Sequence, residues 1–283
     1  MKVIDQTILE KVIVERPRHS HKGDYGRMLL LGGIYPYGGA IIMSAIAAVK
    51  SGAGLVTVGT DKENIPALHS HLPEAMAFSI KDTALLKEQI EKAEVVLLGP
   101  GLREDAFGEE LVKRVFDKLR NDQILIVDGG ALGILAKGHL PFPFGQLILT
   151  PHQKEWERLS GTALEHQNTE TTARALASFS QGTILVEKGS ATRIWQAGQS
   201  EYYQLQVGGP YQATGGMGDT LAGMIAGFAG QFHQASLYER VVVATHLHSA
   251  IAQELAQENY LVLPTEISKL LPKTMKKISQ KGT

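Results

Sequence analysis

The chain has 283 residues, a formal net charge of −1 and no cysteine. The near-neutral balance gives no field for nucleic acid or an anionic membrane. The lack of thiols excludes disulfides, thiolate metal sites and a cysteine nucleophile.

We expect one domain over residues 1–283, with a core of about 23–272 and a basic, polar, solvated or frayed tail over 273–283. Met1–Arg18 alternates charged and apolar residues and does not read as a signal peptide. The longest strongly apolar helical run, Ala40–Val49, is too short to span a bilayer, so a cytoplasmic location is the default. Along the chain, strands are predicted at Met28–Leu31, Leu55–Val58, Val95–Leu98, Ile124–Val127, Leu147–Leu149 and Ile184–Glu187. Most are continuous apolar runs, the pattern of strands covered on both faces. Helices are predicted at Ala40–Ser51, Thr83–Ala93, Glu109–Arg120, Thr169–Ser180 and Thr220–Ala229, with a long one around Tyr238–Glu258. Arg193–Trp195 and Tyr202–Gln206 flank Gly198 as a small antiparallel hairpin. Alternating strands and helices predict an α/β fold, a three-layer α/β/α sandwich on a mostly parallel central sheet.

Polar or glycine-rich turns follow these strands. Ala213-Thr214-Gly215-Gly216-Met217-Gly218-Asp219 opens a helix. Its glycines permit close backbone approach, and unpaired N–H groups at the helix start make a cradle for phosphate. Asp219 there is open to two readings, an N-cap or first-turn carboxylate on one side and a base facing the phosphate on the other. The loop is neither a P-loop nor a dinucleotide fingerprint. Lys188-Gly189-Ser190-Ala191-Thr192 follows the strand Ile184–Glu187, and ligands of open α/β sheets bind at such carboxyl ends. A lysine there is also commonly just solvated. Leu149–Glu155 holds His152 just past another strand, with Glu155 supporting a helix start. Gly32-Gly33 with Tyr37–Ala40, Gly99–Leu102 and Asp128-Gly129-Gly130 complete the set. The pairs His19/His21, His69/His71 and His246/His248 lack metal-ligand spacing, and no metal ligand is assigned.

Taken in order, Tyr37–Ala40 with the helix running on to Ser51-Gly52-Ala53-Gly54-Leu55, Gly99–Leu102, Leu149–Glu155, Lys188–Thr192 and Ala213–Gly223 resemble the ADP/ATP-dependent NAD(P)H-hydrate dehydratases of the ribokinase-like superfamily. The resemblance runs from about Gly23 to Gly230. It implies repair of (6S)-NADHX or NADPHX to NADH or NADPH, with ADP or ATP as co-substrate and Mg²⁺ as cofactor. By resemblance Asp219 is the catalytic base. Lys188, Gly189, Ser190, Ala191, Thr192 and Gly218 would hold the nucleotide, with the Gly216, Met217 and Gly218 amides on the phosphates. Ala40, Gly101, His152 and Asp219 would contact the hydrate. A homo-oligomer, as a tetramer, and a separate epimerase acting on the same metabolite are implied too. Two departures stand out. Gly130 replaces the second Asp of the family's V-D-A-D-A-L, and Gly209 replaces the Asn of its G-N-P, so polar roles there are unavailable. The alternatives are a vitamin-precursor kinase of the same superfamily and a non-catalytic nucleotide sensor.

Overall fold

Continuous apolar strands need cover on both faces, and the fold supplies it. The structure, a computed structural model, describes residues 1–142 and 145–280. Its strands are β1 (Arg27–Leu31), β2 (Leu55–Thr60), β3 (Met76–Ser79), β4 (Val95–Leu98), β5 (Ile124–Val127), β6 (Gln146–Leu149), β7 (Ile184–Glu187), β8 (Arg193–Gln196) and β9 (Tyr203–Gln204). Among the described residues they form one sheet in the order β3-β2-β1-β4-β5-β6-β7-β8-β9. Pairing is parallel from β3 to β7 and antiparallel from β7 to β9.

Successive strand residues point to opposite faces, so each run feeds two cores. Val95, Leu97, Ile124 and Ile126 join one core. Val96, Leu98, Leu125 and Val127 join the other. The first core is closed by α1 (Gln6–Val12), α2 (Gly38–Lys50), α9 (Met217–Ala229), α10 (Leu237–Leu255) and α11 (Pro264–Ser279), with Leu68 of α3 (Ile65–His71). The second is closed by α4 (Thr83–Lys92), α5 (Ala106–Phe116), α6 (Gly130–Ala136), α7 (Gln153–Ser160) and α8 (Thr169–Leu176). This is the expected three-layer sandwich.

The differences from expectation have local causes. β3 was not anticipated: it is a four-residue edge strand whose Met76 is exposed, so it carries no continuous apolar run. α5 begins before Glu109 because the Asp105 carboxylate accepts from the Gly108 amide and caps the helix at Ala106. β9 is shorter than Tyr202–Gln206 because its register with β8 covers two residues. The tail is corrected as well. Lys273–Ser279 continues α11, Ile278 and Ser279 are buried, and Lys276 pairs with Glu15. An amphipathic face holds those residues, which their basic composition conceals. Residues 281–283 of that predicted tail lie outside the described residues. The apolar stretch of α10 is core: Val241–Ala244, Leu247 and Ile251 are buried within the chain.

Candidate active site

Because β1 and β4 to β7 run parallel, the turns after them meet at one end of the sheet. Between β1 and β4 the strand order changes direction, and there the loops bond to each other. The Gly33 amide donates to the Pro100 carbonyl (2.8 Å) and the Ile34 amide to the Gly101 carbonyl (2.9 Å). Gly101 lies against α2: a Cβ on it would fall 3.1 Å from that of Ala40. The expected substrate residues Ala40 and Gly101 are therefore neighbours. The Ser44 hydroxyl lies 3.1 Å from the Ala40 carbonyl and 2.8 Å from that of Asp219, tying the start of α2 to the start of α9.

α9 starts earlier than the expected Thr220, at Met217. Gly216 is its N-cap, with φ 93°, in the left-handed region that favours glycine. Asp219 is thus the third residue of the helix, a first-turn carboxylate and not the cap itself. No side chain caps this end, so the first amides of α9 keep their donors and their positive dipole end for a ligand.

Lys188 is not the solvated strand-end lysine that composition allowed. Its side chain is 19% exposed, and its ammonium donates to Asp128 at 2.9 Å. A Cβ on Gly218 would stand 3.2 Å from the Lys188 Nζ, so the ammonium abuts the first turn of α9. Asp128 also accepts from the Thr150 hydroxyl at 2.7 Å. His152 pairs with Lys188 across the strand ends, the Lys188 amide donating to the Pro151 carbonyl at 2.9 Å. His152 is exposed and caps α7: its Nδ1 accepts from the Lys154 and Glu155 amides, while the Glu155 carboxylate accepts from the His152 amide at 2.8 Å. Nδ1 is thereby committed to the cap, which leaves Nε2 as the nitrogen able to donate.

Asp128, Glu155 and Asp219 all act electrostatically on Lys188. Burial, then the Asp128 charge, pushes the Asp219 carboxyl up to about 6, against the opposing pull of Lys188. Burial also raises Glu155. Burial works against the Lys188 charge, but Asp128 and Glu155 hold its pKa above the ordinary lysine value. The arrangement can hold an anion between ammonium and helix start, with a carboxylate poised near neutrality to take a proton.

A cavity of about 540 Å³ opens from this point. Lys188, Gly189, Ser190, Thr192, Met217 and Gly218 line it, together with Gly208–Pro210 and His248 of α10. Ala40, Gly101, His152 and Asp219 do not line it; Gly216 and Ala191 do not either, and Ala191 borders a smaller neighbouring hollow. The predicted residues thus divide into those that line this cavity and those that do not, with Ala40, Gly101, His152 and Asp219 among the latter. Sequence reasoning counted Asp128 among the strand-end turns but gave it no role, although its position matches that of Lys188. It used Glu155 only as a helix start, and it dismissed His248 with the histidine pairs.

Comparison with known proteins agrees with this geometry. The NAD(P)H-hydrate dehydratase family model matches residues 28–273. The ADP-dependent (S)-NAD(P)H-hydrate dehydratase of Streptococcus pneumoniae R6 is 79% identical over 280 residues, covering 99% of this chain and 97% of that protein. A ribokinase-like superfamily protein from Enterococcus faecalis V583 has a solved structure with a TM-score of 0.94 and 44% identity, covering 99% of this chain and 96% of that chain. The ADP/ATP-dependent NAD(P)H-hydrate dehydratase of Bacillus subtilis, co-crystallised with ATP and Mg²⁺, gives a TM-score of 0.83 at 29% identity, with 97% of each chain covered. On fold, site and sequence together, the chain belongs to the NAD(P)H-hydrate dehydratase family, with a ribokinase-like fold.

Proposed function

We propose that this chain is a hydro-lyase that dehydrates (6S)-NADHX and (6S)-NADPHX to NADH and NADPH, with a nucleoside phosphate as co-substrate. The carrying observation is Asp219, a carboxyl pushed up to about 6 one residue beyond Gly218 at an uncapped helix start. The name of the Streptococcus pneumoniae relative favours ADP over ATP.

Hydroxide is a poor leaving group, and phosphorylation converts it into a good one. Asp219 takes the proton of the C6 hydroxyl, whose oxygen bonds to the terminal phosphorus of ADP as AMP departs. The lone pair of the ring nitrogen then breaks the C6–O bond and expels phosphate. Loss of a C5 proton restores the ring double bond. The amides of Gly216, Met217 and Gly218 and the Lys188 ammonium hold the phosphoryl charge, with Gly189–Thr192 along the nucleotide. Ala40, Gly101 and His152 face the hydrate in this reading.

Among the described residues, no group of three or more His, Cys, Asp or Glu is arranged to hold a metal. Mg²⁺ commonly keeps water and phosphate ligands beside one or two carboxylates, and Asp219 and Glu155 are the residues that would hold it. Bound there it would neutralise phosphate charge. The same reading includes a cytoplasmic enzyme, where NAD(P)H and ADP are pooled, and a separate epimerase chain that interconverts the hydrate epimers. It also includes a homo-oligomer. Tyr260, Leu261 and Leu263, exposed apolar residues around Val262, suit self-association.

The test is to incubate the protein with hydrated NADH, ADP and Mg²⁺. Return of reduced-nicotinamide absorbance with release of AMP and phosphate is expected. A phosphorylated product that persists would overturn the reading in favour of a kinase.

A further inference from the structure

His248 carries an unexplained polar atom. The residue is 4% exposed on α10, and its Nε2 is buried with no hydrogen-bond partner among the described residues. A buried polar atom left unpaired loses its hydration with nothing in return, so the group calls for a partner. His246 also has a buried nitrogen without a partner among the described residues, but it lines no part of the 540 Å³ cavity. His248 does line it, between Thr245 and Ser249 of the same helix and opposite Gly208–Pro210. Lys188, Met217 and Gly218 of the phosphate cradle line the same cavity, and the Lys188 charge reaches the His248 ring. Burial pushes the imidazole down to about 4, so the ring is neutral near pH 7. The Met217 backbone at the start of α9 favours the protonated ring, and the Lys188 charge opposes it. A neutral ring that turns an Nδ1–H toward that backbone keeps the Nε2 lone pair as an acceptor.

We propose that His248 determines nucleotide specificity, its Nε2 accepting a hydrogen bond from an N–H or O–H group of the nucleoside held in this cavity. The inference rests on the reading that an adenosine nucleotide places its phosphates at Gly218 and Lys188. Two groups of ADP have the required chemistry, the amino group of adenine and a ribose hydroxyl. A site built to bond such a donor rejects analogues that lack it far more strongly than an apolar pocket rejects a missing methylene.

The experiment is calorimetric titration of the intact protein with ADP, IDP, 2′-deoxy-ADP and 3′-deoxy-ADP. One analogue should bind about tenfold or more weakly than ADP. Discrimination against IDP assigns the amino group, and discrimination against a deoxy analogue assigns the corresponding hydroxyl. His248→Leu should then weaken ADP by a similar factor while leaving the discriminated analogue unchanged. A purely structural histidine would instead weaken every nucleotide alike, and that result overturns the proposal. So does equal binding of all four nucleotides by the wild-type protein, a comparison that decides the matter even if His248→Leu does not fold. Failure of wild-type protein to bind ADP at all is a separate outcome: it removes the nucleotide reading, and the role of His248 with it.

Discussion

Glu187 and Lys188 are adjacent at the end of β7, and each anchors an ion pair with a buried carboxylate. Glu187, with 4% of its side chain exposed, meets Arg193 at 2.7 Å and also accepts from the Trp195 indole at 3.1 Å. The Thr172 hydroxyl reaches it at 3.5 Å. Asp128, with 3% exposed, meets Lys188 at 2.9 Å and takes the Thr150 hydroxyl. The chemistry is the same, but the surroundings differ. Around Glu187 one negative charge faces one cation and two neutral donors. Around Lys188 one cation faces Asp128, Glu155 and Asp219. The first pair is balanced in charge and borders the smaller hollow of about 210 Å³. The second is short of positive charge, and its Lys188 lines the 540 Å³ cavity. Burial first, and then the Asp128 and Glu155 charges that Lys188 only partly offsets, keep Asp219 half-protonated near pH 6, and a perturbed carboxyl of this kind marks the second pair as the one suited to act on a ligand.

The largest effect should come from Asp219→Asn. Loss of the base should lower kcat by about 10³-fold, measured as NADH recovered from its hydrate. Fold stability should move the other way. The folded carboxyl titrates near 6 against 3.8 for its ordinary value. Below both values the proton is bound in folded and unfolded chains alike, and no cost exists. Between them the folded state holds the extra proton, so stability falls as pH rises. Above pH 6 the charge costs the fold up to about 3 kcal/mol. Asn removes that cost, so the variant should melt higher at pH 7.5 and not at pH 3.5. Equal melting at both would mean that Asp219 is not strained by burial.

Removing either cation breaks the comparison open. Lys188→Met leaves Asp128 buried without its cation and should cost about 3 kcal/mol, with turnover down by at least about 100-fold because the phosphoryl charge loses its ammonium. Arg193→Met leaves Glu187 its indole and hydroxyl donors and should cost about 2 kcal/mol, with kcat within about threefold of wild type. Chemical denaturation and steady-state kinetics separate the two. Equal losses of turnover would show that the balanced pair also serves the reaction. A smaller shift is expected in the pH profile. Wild-type kcat/KM should fall about tenfold per unit below pH 6 as Asp219 takes a proton. Asp128→Asn removes a charge that raises Asp219, so its acid limb should move down by about half a unit or more. An unmoved limb would exclude Asp128 from tuning the base.

Much of the sheet was legible because burial on both faces leaves a plain trace. β4, β5 and β7 fall on the predicted apolar runs, since each residue of Val95–Leu98, Ile124–Val127 and Ile184–Glu187 is buried. The edge strand β3 and the short helix α6 leave no such trace. α6 opens on Gly129 and Gly130, which read as turn residues. The phosphate cradle was legible from Gly215–Asp219 because glycine spacing at a helix start has a local meaning. Its electrostatics were not. Asp128, Glu155, Lys188 and Asp219 lie on four separate segments, and the sheet order alone brings them together. His248 was hidden for a related reason. On an apolar helix it looks like any core histidine, and only the cavity against Gly208–Pro210 distinguishes it from His246.

The mildest perturbation tests the contact between the two features that the sequence offered separately. Gly218 has ordinary helical geometry, and a Cβ there meets only the Lys188 Nζ, at 3.2 Å. The end of a lysine can give by a few tenths of an ångström, and alanine suits a helix better than glycine by about 0.5–1 kcal/mol. Gly218→Ala should therefore change stability by less than about 1 kcal/mol. Gly216→Ala is the contrast, because its φ of 93° and the Met43 sulfur, 2.4 Å from the added carbon, forbid an easy fit. The methyl of Gly218→Ala nudges the ammonium off the first turn of α9 without removing its charge or its Asp128 partner. It also covers amides that phosphate must approach. KM for ADP should rise about tenfold while the acid limb of the pH profile stays in place, since the charges around Asp219 are unchanged. Thermal melts with and without ADP, together with the pH profile, read both quantities. If the limb moves along with KM, the position of Lys188 sets the base as much as its charge does, and the contrast with the balanced Glu187–Arg193 pair becomes one of geometry more than of charge count.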